Sequence, residues 1–174
     1  MNLREEILKD RTKENMIRLA GILSEDKQLI EHLLKLISNE NQESPAIRLA
    51  WLFQHLDDLF PKCVLPYQKD ILVILNKGNR FDGVKRALVR ALSNQKLKEE
   101  ELGLAAEICF NYLSSQEESV AVKVHAMTVL LQIVQRVPEL KDELIFSLEE
   151  QFPYQSAGFK SRAKKILKKL RVES

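Results

Sequence analysis

Ile47-Arg48-Leu49-Ala50, Val84-Lys85-Arg86-Ala87, Val122-Lys123-Val124-His125-Ala126 and Phe159-Lys160 decide the fold, because one helix-start signal returns at intervals of 37, 38 and 37 residues. A period of this size marks a supersecondary unit that cannot bury its own apolar face and stacks on copies of itself. The residues around each signal supply the punctuation of helix pairs. Ser44 is placed to accept from the free amides of a helix with Pro45 first, running to about Phe60. Pro61 and Pro66 then bound a short connection, Tyr67 to Asn76 reads as the next helix, and Lys77-Gly78-Asn79 reads as its stop. Asp82-Gly83 opens the one after it.

The same pattern continues in both directions. Lys98 to Leu113 is an apolar-rich helix, Ser114-Ser115 breaks it, and Ser119 caps Val120 to Val137. Pro138 starts another helix that ends near Phe152-Pro153, and Ser156 caps a last one from Ala157 to Arg171. Upstream, Leu3 to Asp10, Thr12 to Leu23 and Glu25 to Ser38 read as three more, followed by the polar loop Asn39-Glu40-Asn41-Gln42. The expectation is about ten helices in five antiparallel pairs, an all-α superhelix filling residues 1–174 as a single domain. The last helix places Phe159, Ala163, Ile166, Leu167 and Leu170 on one stripe, so only one of its sides can be buried, as suits the end of a stack.

Composition agrees and narrows the function classes. Five Gly and five Pro in 174 residues leave little turn chemistry for a sheet, while 45% hydrophobic residues can build a core. A net charge of +2, from 27 basic and 25 acidic residues, argues against a protein built mainly to coat nucleic acid. The charge is polarised instead: Met1 to Phe60 holds 8 Lys/Arg against 11 Asp/Glu, and Ala121 to Ser174 holds 10 against 6. Cys63 and Cys109 have no partner at the spacing of a structural zinc site and read as reduced thiols. No secretory leader is visible, and Val120 to Val137, the most apolar stretch, is interrupted by Lys123, His125, Gln132, Gln135 and Arg136. A cytoplasmic, non-membrane protein is expected.

The repeated Ile47-Arg48-x-Ala50, Val84-Lys85-x-Ala87 and Val122-Lys123-x-x-Ala126 resemble the second-helix signature of HEAT repeats, and the interval fits. The stretches from Lys123 to Met127 and from Tyr154 to Ala163 are also similar to small uncharacterised bacterial HEAT-like proteins, some labelled adenylosuccinate lyase. The resemblance implies an α-α superhelix and supplies no catalytic residue. The lyase of that label is far longer and uses a Ser-rich loop with a Met-Pro-x-Lys segment, neither of which occurs in this chain. One departure concerns the Asp that often precedes the basic residue in HEAT repeats, since only Asp82 comes near that position.

Candidate binding residues follow from the period. Arg48, Lys85, Lys123 and Lys160 stand one per repeat and would form a basic row that could bind an acidic helix, a peptide or a phosphate backbone. Arg48, Trp51, His55 and Asp58 share one face of their helix. Trp51 there would suit a protein hot spot, yet aligning Ile47 with Val84 and Val122 sets Trp51 opposite Leu88 and Ala126, on core stripes. A shift of one or two residues in register decides between these readings. The seven Lys/Arg from Lys160 to Arg171 could meet an anionic surface or simply solubilise an end cap and compensate its dipole.

No reaction is named by the titratable residues His32, His55, His125, Asp57, Asp58, Cys63 and Cys109. None stand at metalloprotease spacing, no Gly-rich loop could wrap a phosphate, and His125 reads as a hydrogen-bonded core histidine. Tyr67, Tyr112 and Tyr154 lack the interleaved cations of a base-stacking platform. A non-enzymatic scaffold without cofactor or metal is expected, its second helices lining a groove for a protein or peptide. The alternative is a HEAT-like DNA-binding or alkylated-base-processing protein using Arg48, Trp51 and Asp58.

Overall fold

The computed structural model describes residues 1–78 and 80–172, so Asn79, expected in a helix stop, lies outside the described residues. These residues form helices and turns with no strand among them. They group into two compact units, Met1–Ala91 and Leu92–Ser174.

The first unit contains α1 (Leu3–Lys9), α2 (Lys13–Ser24), α3 (Lys27–Asn39), α4 (Glu43–Leu59), the single turn α5 (Pro61–Val64), α6 (Gln68–Asn76) and most of α7 (Asp82–Ser93). Short polar side chains start the early helices: Asn2, Thr12 and Asp26 each accept from an amide of the first turn. Gly78 follows α6 with φ 69, the left-handed turn that only glycine adopts without strain, and its N–H returns to the Leu75 carbonyl. The packing is layered. α2 lies on α4, and α6 lies on α3, so second helices meet second helices and first helices meet first. α4 and α7 also run side by side in the same direction: Ile47 closes on Gly83 at their N-terminal ends, and Arg90 pairs with Asp58 at 2.7 Å near their C-terminal ends.

The second unit contains α8 (Leu102–Ser114), α9 (Val120–Arg136), α10 (Lys141–Gln151) and α11 (Ala157–Val172). Ser119 and Ser156 cap α9 and α11 from the position before the first helical residue. α8 and α9 form an antiparallel hairpin whose open end is fastened by Gln132. Its carboxamide accepts from Leu97 N–H at 3.0 Å and donates to the Gln95 carbonyl at 2.8 Å. α9 and α11 lie parallel, with Val120 against Gly158 and Thr128 bonded to Arg162.

Three local differences from the sequence reading have simple causes. α4 begins at Glu43, because the Ala46 N–H already bonds the Gln42 carbonyl; Ser44 therefore sits inside the first turn and does not cap it. Pro45 is still tolerated there, since first-turn amides have no intrahelical partner. The Pro61–Pro66 connection is helical, one α-turn and then a 3₁₀ turn over Leu65–Tyr67. Similarly, 3₁₀ turns over Glu99–Glu101 and Pro138–Leu140 precede α8 and α10.

The larger correction concerns register. α4 buries Pro45, Ala46, Leu49, Ala50, Leu52, Phe53, Leu56 and Asp57, and α9 buries Val122, Lys123, Ala126, Met127, Val129, Leu130, Ile133 and Val134. The two sets match one for one at an offset of 77 residues, whereas aligning Ile47 with Val122 requires 75. The true counterpart of Val122-Lys123 is thus Pro45-Ala46, and α4 lacks a basic residue at that position. Burial chemistry selects this phase. At an offset of 75, α4 would have to bury Arg48, Gln54, His55 and Asp58; in the observed phase Asp57 is the one ionisable residue placed inside. Val84 and Phe159 are buried at the signal positions of α7 and α11, so those two helices keep the register read from sequence.

Candidate functional site

The two-residue slip turns Trp51 out of the α4 core stripe. Leu88 and Ala126, its sequence-aligned partners, are fully buried, but Trp51 is half-buried and forms the shared wall of two clefts. One cleft is lined by Glu43, Ser44, Ile47 and Arg48, the other by Lys13, Ile17, Gln54, His55, Asp58 and Leu59. The indole meets the His55 ring edge to face at 5.0 Å, and His55 Nδ1 lies 3.0 Å from the Trp51 carbonyl oxygen. These local contacts hold both rings without drawing either into the core.

Aliphatic groups stand among the polar ones beside the indole. Ile17, Ile47 and Leu59, which line the same two clefts, are 42%, 38% and 46% exposed. Arg48 supplies charge beside them. Its Nε is enclosed yet has no hydrogen-bond partner among the described residues, a state that costs free energy until an acceptor arrives. Asp58 is already engaged by Arg90.

The expected basic row is not uniform. Lys85 and Lys160 are half-buried on α7 and α11, and the Lys160 ammonium lies 5.8 Å from the Phe152 ring centroid. Lys123 is 3% exposed, so it acts from inside the protein and not from an open surface. Its Nζ donates to Gln151 Oε1 at 3.2 Å. Burial holds the amine below its ordinary pKa, and the charge of Glu118 partly restores it. Arg48 does not stand at the position matching the other three, for the register reason given above.

The remaining titratable candidates are dispersed. His32 is exposed on α3, His125 is half-buried on α9, and Asp57 is buried on α4. Cys63 donates to the Ser24 carbonyl, while burial pushes the Cys109 thiol up to about 12. Burial also raises Tyr112. Among the described residues, no group of three or more His, Cys, Asp or Glu is placed to hold a metal ion. None of their helices is long and apolar enough to cross a membrane. Sequence reasoning missed two features: the exposed Ile17 and Leu59 beside Trp51, and the polar surroundings of Lys123. Both depend on side chains meeting from separate helices, for which the sequence carries no local signal.

Paired antiparallel helices stacked like on like define an α-helical repeat protein. The sequence pattern described as HEAT repeat domain matches residues 3–170, and the chain belongs to that family. The family typically provides non-enzymatic helical scaffolds that commonly engage other proteins. Comparison with curated proteins and with solved structures finds no match.

Proposed function

We propose that the protein is a non-enzymatic scaffold that binds a protein or peptide partner on the second-helix face of its first unit, with Trp51 as the anchor. The observation that carries this reading is the indole held out of the core between two clefts, flanked by exposed Ile17, Ile47 and Leu59. Trp and Arg are the side chains over-represented at interface hot spots, and here they line one cleft together. Arg48 and Lys13 favour a partner with carboxylates beside its apolar residues, because Arg48 Nε has no acceptor among the described residues. The six residues Arg48, Trp51, His55, Lys85, Lys123 and Lys160 then divide by role. Arg48, Trp51 and His55 form the anchor region of the first unit, where Lys85 adds a cation on α7, whereas Lys123 and Lys160 belong to the second unit.

Trp51 is the single tryptophan, so its fluorescence reports on this surface alone. Selection of a displayed random peptide library on the wild-type protein should enrich sequences with acidic and large apolar residues at helical spacing. Their binding should shift the emission and weaken by about 30-fold or more in Trp51→Ala. Enriched peptides indifferent to Trp51→Ala would remove the reading. Salt-sensitive quenching by duplex DNA, with no peptide enriched, would favour the nucleic-acid alternative.

A further inference from the structure

The second unit holds a different opening, at the turns of its two hairpins. Ser114 at the end of α8, Gln116 from the α8–α9 turn, and Tyr154 and Gln155 from the α10–α11 turn line a cleft of about 490 Å³. Lys123 forms part of its wall. A cleft of this volume suits a small ligand, or the end of a larger one.

The hydrogen bonding in the cleft is incomplete in a specific way. Gln151 Oε1 accepts from Lys123 Nζ at 3.2 Å and from Gln155 Nε2 at 3.3 Å. One neutral oxygen therefore serves two donors, and the ammonium, with three donors, forms no ion pair among the described residues. A buried ammonium bonded to a neutral acceptor alone gains when a negative group bonds to it directly. Glu118 lies near enough to favour the charged form, and Glu150 lines the cleft without pairing to Lys123. These two carboxylates limit the negative charge that the cleft can accept, so a dianion such as phosphate is repelled more than a monoanion that bonds directly to the ammonium.

We propose that this cleft binds a carboxylate monoanion, with the Lys123 ammonium as counter-ion and the Gln155 carboxamide and Tyr154 hydroxyl at its lip. The carboxylate belongs to a small organic acid or to the C-terminus of a peptide, and either would complete the hydrogen bonding that Gln151 alone leaves unfinished. This site is separate from the Trp51 surface and stands or falls without it.

The test uses the full chain labelled with ¹⁵N at lysine side chains, the Lys123 resonance being assigned by its loss in Lys123→Met. Acetate and propionate represent the free acid, acetyl-triglycine represents a peptide C-terminus, and acetyl-triglycine amide, chloride and inorganic phosphate are controls. The Lys123 signal should move saturably with at least one carboxylate and about tenfold more weakly with phosphate, and should ignore the amide. Preference between propionate and acetyl-triglycine identifies the source of the carboxylate. Tyr154→Phe and Gln155→Ala, at the accessible lip, should each weaken binding several-fold without lowering Tm. The same carboxylate should raise the Tm of the wild type and leave that of Lys123→Met unchanged. The proposal is overturned by the lack of a saturable shift up to about 100 mM carboxylate, which puts any Kd well above the millimolar range. It is equally overturned if chloride or phosphate acts as strongly, or if Lys123→Met lowers Tm while no carboxylate binds, which would make the amine a strut between helices.

Discussion

α4 and α9 have the same length, begin and end at an offset of 77, and bury the same eight positions, yet they present different faces. In α9 the counterparts of Trp51 and His55 are Thr128 and Gln132. Thr128 accepts from Arg162 at 2.6 Å, and Gln132 fastens the backbone before α8, so both are committed to neighbouring elements. In α4 the corresponding rings contact each other and line open clefts. One repeat position thus serves cohesion in one unit and leaves an aromatic surface in the other. Buried stripes are under the common constraint of packing, while the positions just outside them are free to diverge.

The register that produces this contrast has the largest expected consequence. Phe53 is fully buried at the position matching Leu130, and Phe53→Ala should cost about 3–5 kcal/mol, through lost burial and the cavity left behind. Trp51→Ala, although it removes more atoms, should cost about 1 kcal/mol or less because the indole lies outside the stripe. Urea unfolding followed by circular dichroism measures both without relying on tryptophan emission. Equal losses for the two would restore the 75-residue alignment and place Trp51 in the core.

A second expected effect is smaller and depends on pH. At the position where α4 carries Ala46, α9 buries Lys123, whose amine burial holds below the ordinary 10.5. Between the folded value and 10.5 the unfolded chain binds the proton more readily, so wild-type stability rises with pH across that interval. The penalty for burying the charge is fully present below the folded value. Lys123→Met, which keeps the unbranched stem, should therefore stabilise the protein by about 1 kcal/mol near neutrality. That advantage should shrink as pH climbs toward 10.5. An advantage independent of pH would assign the gain to better packing, and a loss at neutrality would show the ammonium to be a net stabilising contact.

The helices and their pairing were legible because apolar periodicity and terminal Ser, Asp, Gly and Pro are local signals. Ser119 and Ser156 start α9 and α11 as the sequence indicates, and Gly78 follows α6 in the left-handed conformation. The phase of α4 was not legible from the signal alone, since Ile47-Arg48-x-Ala50 imitates Val84-Lys85-x-Ala87 while the buried stripe begins two residues earlier. Comparing which eight side chains each phase would bury does decide it, and that comparison needs the whole helix. The clefts were illegible for another reason. Ile17 reaches Trp51 from α2, and Gln151 reaches Lys123 from α10, so each neighbourhood exists only once separate helices are packed.

The smallest expected contrast lies at the first turns, where the two helices differ chemically despite equal bounds. Ser119 Oγ accepts the Val122 amide at 3.3 Å, whereas Gln42 precedes α4 without a side-chain capping bond and instead accepts from Arg4 at 3.1 Å. Ser119→Ala should lose about 1 kcal/mol, because a first-turn donor is left to water. Gln42→Ala should lose only a few tenths, the worth of an exposed side-chain contact. Amide exchange at the first turns of α4 and α9 reads both changes locally. If Gln42→Ala opens α4 as much as Ser119→Ala opens α9, then Arg4 is holding the start of α4 through Gln42, and the first turn of that helix depends on α1 rather than on a cap of its own.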